Sequence, residues 1–101
     1  MIKIKEYKEY ILAHKFYEAH EILEEFWFPR RKQKDDLTLI IKGFINAAVS
    51  FELRKRGRQE SSKRVWQTYI KLTHNKLDEF NDLELIELRN FIDNFEKSYL
   101  S

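Results

Sequence analysis

The stretch Phe16-Tyr17-Glu18-Ala19-His20-Glu21-Ile22-Leu23-Glu24-Glu25-Phe26-Trp27 brings one histidine, four carboxylates and four aromatic rings into about three helical turns. At about 100° per residue, Phe16, Ala19, Ile22, Leu23, Phe26 and Trp27, with Leu12 ahead of them, fall on one broad apolar arc. Glu18, Glu21 and Glu25 take the opposite, solvated side. His20 and Glu24 belong to neither group. They are i,i+4 neighbours roughly 40° apart at the shoulder of the arc, one turn from Trp27. A polar pair at a core margin has to be satisfied by something, and this is where the chain points to a site.

An imidazole and a carboxylate one turn apart support three readings. In the plainest, His20 and Glu24, joined by a carboxylate from another helix, form a hydrogen-bonded cluster that fixes helix register. In a metal reading, His20-Glu21-x-x-Glu24 has the ligand spacing of a His-Glu-x-x-His zinc helix, with Glu21 in the place of the general base. Here the second histidine is a glutamate, and Glu21 turns about 100° from His20 toward solvent. A third ligand is required, and Glu52 is the candidate. Such a mixed set suits a divalent metal such as zinc, manganese or iron. The Glu-x-x-His spacing of di-iron bundles is absent, because residue 17 is tyrosine. In a metal-free reading, His20 acts as a base oriented by Glu24 or Glu52, in a pocket with Tyr17, Trp27 and Gly43 as candidate walls. Nothing supplies a nucleophile, an oxyanion hole or a Gly-rich phosphate loop, so whether the chain is an enzyme stays open.

The elements that must position these residues read as helices. The chain has 101 residues, two glycines, one proline and 43% hydrophobic against 36% charged residues. That suits one domain, residues 1–101, with a single modest core. It has no cysteine, which removes disulfides, thiolate metal sites and cysteine nucleophiles. The lysine- and glutamate-rich start is no signal peptide, and no apolar run approaches the roughly 20 residues of a membrane span. A cytoplasmic protein with no membrane partner is the expectation.

A first helix is predicted over 3–14 on the spacing of Ile4, Tyr7, Tyr10 or Ile11, and Ala13 or His14. It either continues into the second or kinks near His14–Phe16. The second ends around Phe28, because Pro29 biases its predecessor out of the α region. Asp35 or Asp36 is the N-cap of a third helix, about 36–56. Leu37, Ile40, Ile41, Phe44, Ile45, Ala47, Ala48, Val49 and Phe51 cover most of its circumference, as expected of a helix with neighbours on several sides. Gly43 in its middle costs about 1 kcal/mol relative to alanine and predicts a close helix approach. Gly57 is its C′ stop. Glu52 falls between Ile41 and Ile45 on an apolar face, which calls for a buried partner or a snorkelling side chain. Two further helices follow at about 60–80 and 83–99, broken at Asn81-Asp82. The fold class is all-α, a compact single-domain bundle of four to five helices.

Two segments resemble a known family. The run Phe16-Tyr17-Glu18-Ala19-His20-Glu21-Ile22-Leu23-Glu24-x-x-Trp27 is similar to the hallmark of domain of unknown function 309, a group of small all-helical prokaryotic proteins. Ile41-Lys42-Gly43-Phe44-Ile45-Asn46-Ala47-Ala48, followed by Leu53, Arg56 and Gly57-Arg58, resembles that family's central helix and its Gly-ending turn. The sequence departs from the family pattern at Lys42, often glutamine, and at Glu52, often histidine. The resemblance implies an all-α fold and brings no settled activity.

Two basic clusters, Arg30-Arg31-Lys32-Gln33-Lys34 and Arg54-Lys55-Arg56-Gly57-Arg58, raise the question of nucleic acid. Both sit at helix C-termini, where basic residues stabilise the dipole. A net charge of +2 and a pI of 8.8 fall short of the usual footprint, so nucleic acid is disfavoured as a partner. Self-association stays open on aromatic richness. The sequence therefore reads as a helical protein with a His/Glu site that binds a small molecule or a metal. The alternative is a protein- or nucleic-acid-binding module whose cluster is structural.

Overall fold

The computed structural model describes residues 2–100. Five helices follow one another: α1 (Ile4–Leu12), α2 (Phe16–Trp27), α3 (Asp36–Lys55), α4 (Gln59–Phe80) and α5 (Leu83–Leu100), with a 3₁₀ turn at Phe28–Arg30. Among the described residues there is no strand and no helix long and apolar enough to cross a membrane.

The break between α1 and α2 falls at His14, inside the His14–Phe16 stretch where a kink was one of the two expectations. His14 takes a left-handed conformation, φ 58°, and the Lys15 N–H donates to the Tyr10 carbonyl at 2.8 Å. This closes α1 as a glycine cap would. Histidine tolerates that region better than most side chains, so the stop carries no glycine to announce it. Because the helix ends here, Leu12 does not keep phase with α2. It was expected on the apolar arc and is instead 62% exposed.

The other boundaries have ordinary causes. Asp35 caps α3 by accepting from the Thr38 N–H at 2.8 Å, and that hydrogen bond holds its carboxyl below the usual range. Gly57, φ 79°, ends α3 with the Arg58 N–H donating back to the Leu53 carbonyl at 2.9 Å. Asn81 closes α4 in the left-handed region, and Asp82 accepts from the Leu85 N–H to start α5.

The core forms around α3. Ile40, Ile41, Phe44, Ile45, Ala47, Ala48 and Phe51 are all buried, against Tyr7 and Ile11 of α1, Phe16, Ala19 and Leu23 of α2, Tyr69 and Leu77 of α4, and Leu85, Leu88 and Ile92 of α5. α3 and α4 pack antiparallel on a seam of small residues. A Cβ at Gly43 would lie 2.6 Å from Thr73 Cγ2 and 3.2 Å from Leu72 Cβ, so the predicted close approach at this glycine is made by α4. Seven residues on, the hydroxyls of Ser50 and Ser62 cross: each donates to the other residue's carbonyl at 2.9 Å. With these bonds, two buried serines satisfy their own polar groups inside an apolar seam.

Candidate functional site

α2 and α3 are also antiparallel. The Phe16 ring at the start of α2 lies 5.5 Å from Phe51, and Lys55 Nζ donates to the His14 carbonyl at 3.1 Å. At the other end of the pair, Lys42 Nζ sits 4.3 Å over Trp27. Where α2 begins and α3 ends, the helices leave a cleft of about 250 Å³ lined by Phe16, Tyr17, His20, Val49, Glu52, Leu53 and Arg56. Phe16, Val49 and Leu53 supply its apolar walls, and the other four supply an exposed phenol, an imidazole, a carboxylate and a guanidinium.

Each helix contributes one acid–base pair. On α2, His20 Nε2 is 2.7 Å from Glu24 Oε1, with the side chains 24% and 34% exposed. At the end of α3, the C-cap residue Arg56 donates from Nε to Glu52 Oε2 at 2.8 Å. The shoulder position read from the sequence places His20 and Glu24 together, and antiparallel packing brings Glu52 to the same cleft as His20. Glu52 nevertheless satisfies itself one turn along its own helix, with Arg56, rather than across to His20 or Glu24. Among the described residues, no three histidine, cysteine, aspartate or glutamate side chains gather into a set that could hold a metal ion. Of the three candidate walls, Tyr17 lines the cleft, its ring 5.8 Å from that of His20. Trp27 and Gly43 lie elsewhere: the indole is under Lys42 and the glycine against α4.

The basic clusters are largely occupied within the molecule. Arg30 Nη1 donates to the Phe26 carbonyl at 3.0 Å and its guanidinium stacks 3.9 Å from the Phe26 ring. Arg31 does the same with the Phe28 carbonyl and ring. These side chains terminate a helix, as its dipole favours. Arg54, only 10% exposed, turns inward toward Glu96.

A second polar cluster between α4 and α5 escaped the sequence reading. The Tyr69 hydroxyl donates to Asp93 Oδ1 at 2.7 Å, and His74 Nε2 lies 3.1 Å from Asp93 Oδ2. The His74 contact is close enough for attraction but poorly aligned for a hydrogen bond, which leaves Nε2 buried without one. Burial and the adjacent Asp93 carboxylate push the Tyr69 phenol far up. One sequence signal was available: Arg89, Asp93 and Glu96 each follow directly on Leu88, Ile92 and Phe95, a charged stripe running beside the apolar one.

The sequence model of the family described as domain of unknown function (DUF309) matches residues 4–72, more than half of the chain, and the chain belongs to that family. The match takes in α1 to α3, hence the whole cleft, and ends inside α4. An uncharacterized protein of Aquifex aeolicus (strain VF5) is 31% identical over 78 residues, which are 77% of this chain and 23% of that protein. The chain therefore spans about a quarter of that relative's length. No solved structure matches it.

Proposed function

We propose that this member of the DUF309 family binds a small organic molecule in the cleft between α2 and α3. One observation carries the reading: His20, held by Glu24 on α2, and the Glu52–Arg56 pair at the end of α3 line an apolar cleft instead of standing inside the core. Partly exposed pairs of this kind contribute little to stability, about 0–1 kcal/mol, so scaffolding alone gives a weak account of them. A concave, mainly apolar site with a few convergent polar groups is the usual form of a small-molecule site. The exposed Tyr17 ring at its edge adds a surface for stacking.

The metal form of the expectation has less support. His20 and Glu24 would supply two ligands, and the third candidate, Glu52, is committed to Arg56. The binding-module alternative loses its main argument with Arg30 and Arg31 folded onto their own helix end.

The test is a fragment screen by protein-observed NMR, repeated on Val49→Phe, which fills the cleft from α3. Fragments that shift Val49, Leu53 and Tyr17 signals in the wild type and lose affinity in a folded Val49→Phe protein support the reading. A screen without such fragments, or binding that survives the filled cleft, overturns it.

A further inference from the structure

We infer that the cleft selects a compact organic anion, a monocarboxylate on an apolar body, with the carboxylate held by Arg56. The inference rests on the cleft being a ligand site and goes on to assign the chemistry of its occupant.

The assignment follows from which hydrogen-bonding groups are left over. Glu52 Oε2 accepts the Arg56 Nε–H. A guanidinium carries five N–H donors in a planar fork, and the Nη groups of Arg56, whose side chain is 65% exposed, remain for a ligand. The carboxylate and the guanidinium of the lining, Glu52 and Arg56, thus offset one another in charge. Lys55, whose ammonium lies 5.9 Å from the ring of the cleft residue Phe16, adds positive potential at the same end. A ligand carboxylate would find the bidentate-capable Nη groups of Arg56 with Lys55 beside them, whereas a ligand amine would meet that excess of positive charge.

Size narrows the class. An apolar cavity of about 150 Å³ accommodates benzene, so a cleft of about 250 Å³ has room for one ring with a short acidic chain. A ligand of about ten non-hydrogen atoms at ordinary efficiency binds with a Kd on the order of 1–10 mM, within reach of NMR titration.

The probes are 3-phenylpropanoate, 3-phenylpropanamide and 3-phenylpropylamine, three charges on one skeleton. The carboxylate is expected to bind at least tenfold tighter than the amine and tighter than the amide. Arg56→Gln should bring the carboxylate down to the level of the amide while leaving the amide unchanged. Glu52→Gln makes the sharper demand, because it removes the internal competitor for the guanidinium. It should strengthen carboxylate binding severalfold, where a pair that only shapes the cleft would lose affinity on being broken. Equal binding of carboxylate and amine, or no response to Arg56→Gln in a protein of unchanged melting temperature, overturns the charge assignment and leaves the cleft reading intact. If no probe binds while fragments of another class do, the chemical class is wrong. If nothing binds at all, both readings fail together.

Discussion

Gly43 and Thr73 meet without room for a methyl group between them: a Cβ on the glycine would stand 2.6 Å from Thr73 Cγ2. The threonine cannot rotate away freely, because its Oγ1 donates to the Tyr69 carbonyl at 2.7 Å, and Leu72 and the Tyr69 carbonyl close the other sides. A mid-helix glycine, unfavourable for α3 on its own, is what sets the distance between α3 and α4.

Gly43→Ala should therefore destabilise the protein, although alanine is the better helix former by about 1 kcal/mol. Overpacking of this kind costs about 1–3 kcal/mol. Thr73→Ser removes the clashing methyl and keeps the hydroxyl, so the double variant should recover much of the loss. Denaturant melts of the four proteins give the coupling energy directly. Additive effects would show that the two residues do not meet as described.

Two buried phenols make stability fall in alkali. Burial holds Tyr7 far above its ordinary value of 10.0, and burial, then Asp93, does the same for Tyr69. The unfolded chain releases these protons near pH 10 while the folded chain retains them, so the folded state binds more protons. Their contribution is complete below about pH 10 and is lost as pH rises above it, by up to about 1.4 kcal/mol per pH unit for each phenol. Tyr7→Phe should cost about 0.5–1.5 kcal/mol at neutral pH, for the hydrogen bond its hydroxyl donates to the Phe44 carbonyl. It should also flatten the alkaline slope of the melting temperature. An unchanged slope would place the lost proton elsewhere.

How far such arguments could run from sequence alone depended on the kind of signal. The helices were legible because apolar residues recur at three and four positions and because Asp35 and Gly57 are strong caps. The α1–α2 stop was not, since a left-handed histidine looks like any other residue in a periodic run. His20 and Glu24 could be paired because the i,i+4 relation is local. Glu52 was placed on the right face, but Arg56, just as local at i,i+4, was read only as part of a basic cluster at a helix end, so the pair that forms was not drawn. Trp27 sits one turn from Glu24 yet faces Lys42, because a helix partner's register decides which neighbours share a cavity. The Tyr69–Asp93–His74 cluster joins residues about twenty positions apart, and no short motif encodes that.

Arg54 and Glu96 should respond asymmetrically. Their side chains are 10% and 17% exposed and their closest charged atoms stand 3.8 Å apart, while Arg54 Nε and Nη1 are buried without hydrogen bonds. Desolvation of such a pair is poorly repaid. Arg54→Met, which keeps the length and removes the charge, should be neutral or stabilising by about 1 kcal/mol. Glu96→Gln leaves a buried guanidinium without its counter-ion and should destabilise by about 1–3 kcal/mol. Equal losses in both variants would mean that the pair contributes net stability.

The role of His20 is decided by comparing stability with binding. If His20 and Glu24 were a core cluster, removing the imidazole would strand a buried carboxylate at a cost of about 1–3 kcal/mol. The pair is instead partly open to water, and exposed pairs of this kind are worth about 0.2–1 kcal/mol. His20→Ala and Glu24→Gln should each lower the melting temperature by no more than about 8 °C in a domain of this size. Loss of affinity for whatever fragments occupy the cleft should exceed that small effect. With two ligands in place and Glu52 bound to Arg56, zinc or manganese should leave the wild-type melting temperature unmoved. A rise on adding either metal, abolished in both variants, would restore the metal reading with Glu52 swung to His20. A loss well beyond about 1 kcal/mol in His20→Ala, with fragment binding intact in the folded fraction, would make the histidine a scaffold residue and remove it from the site.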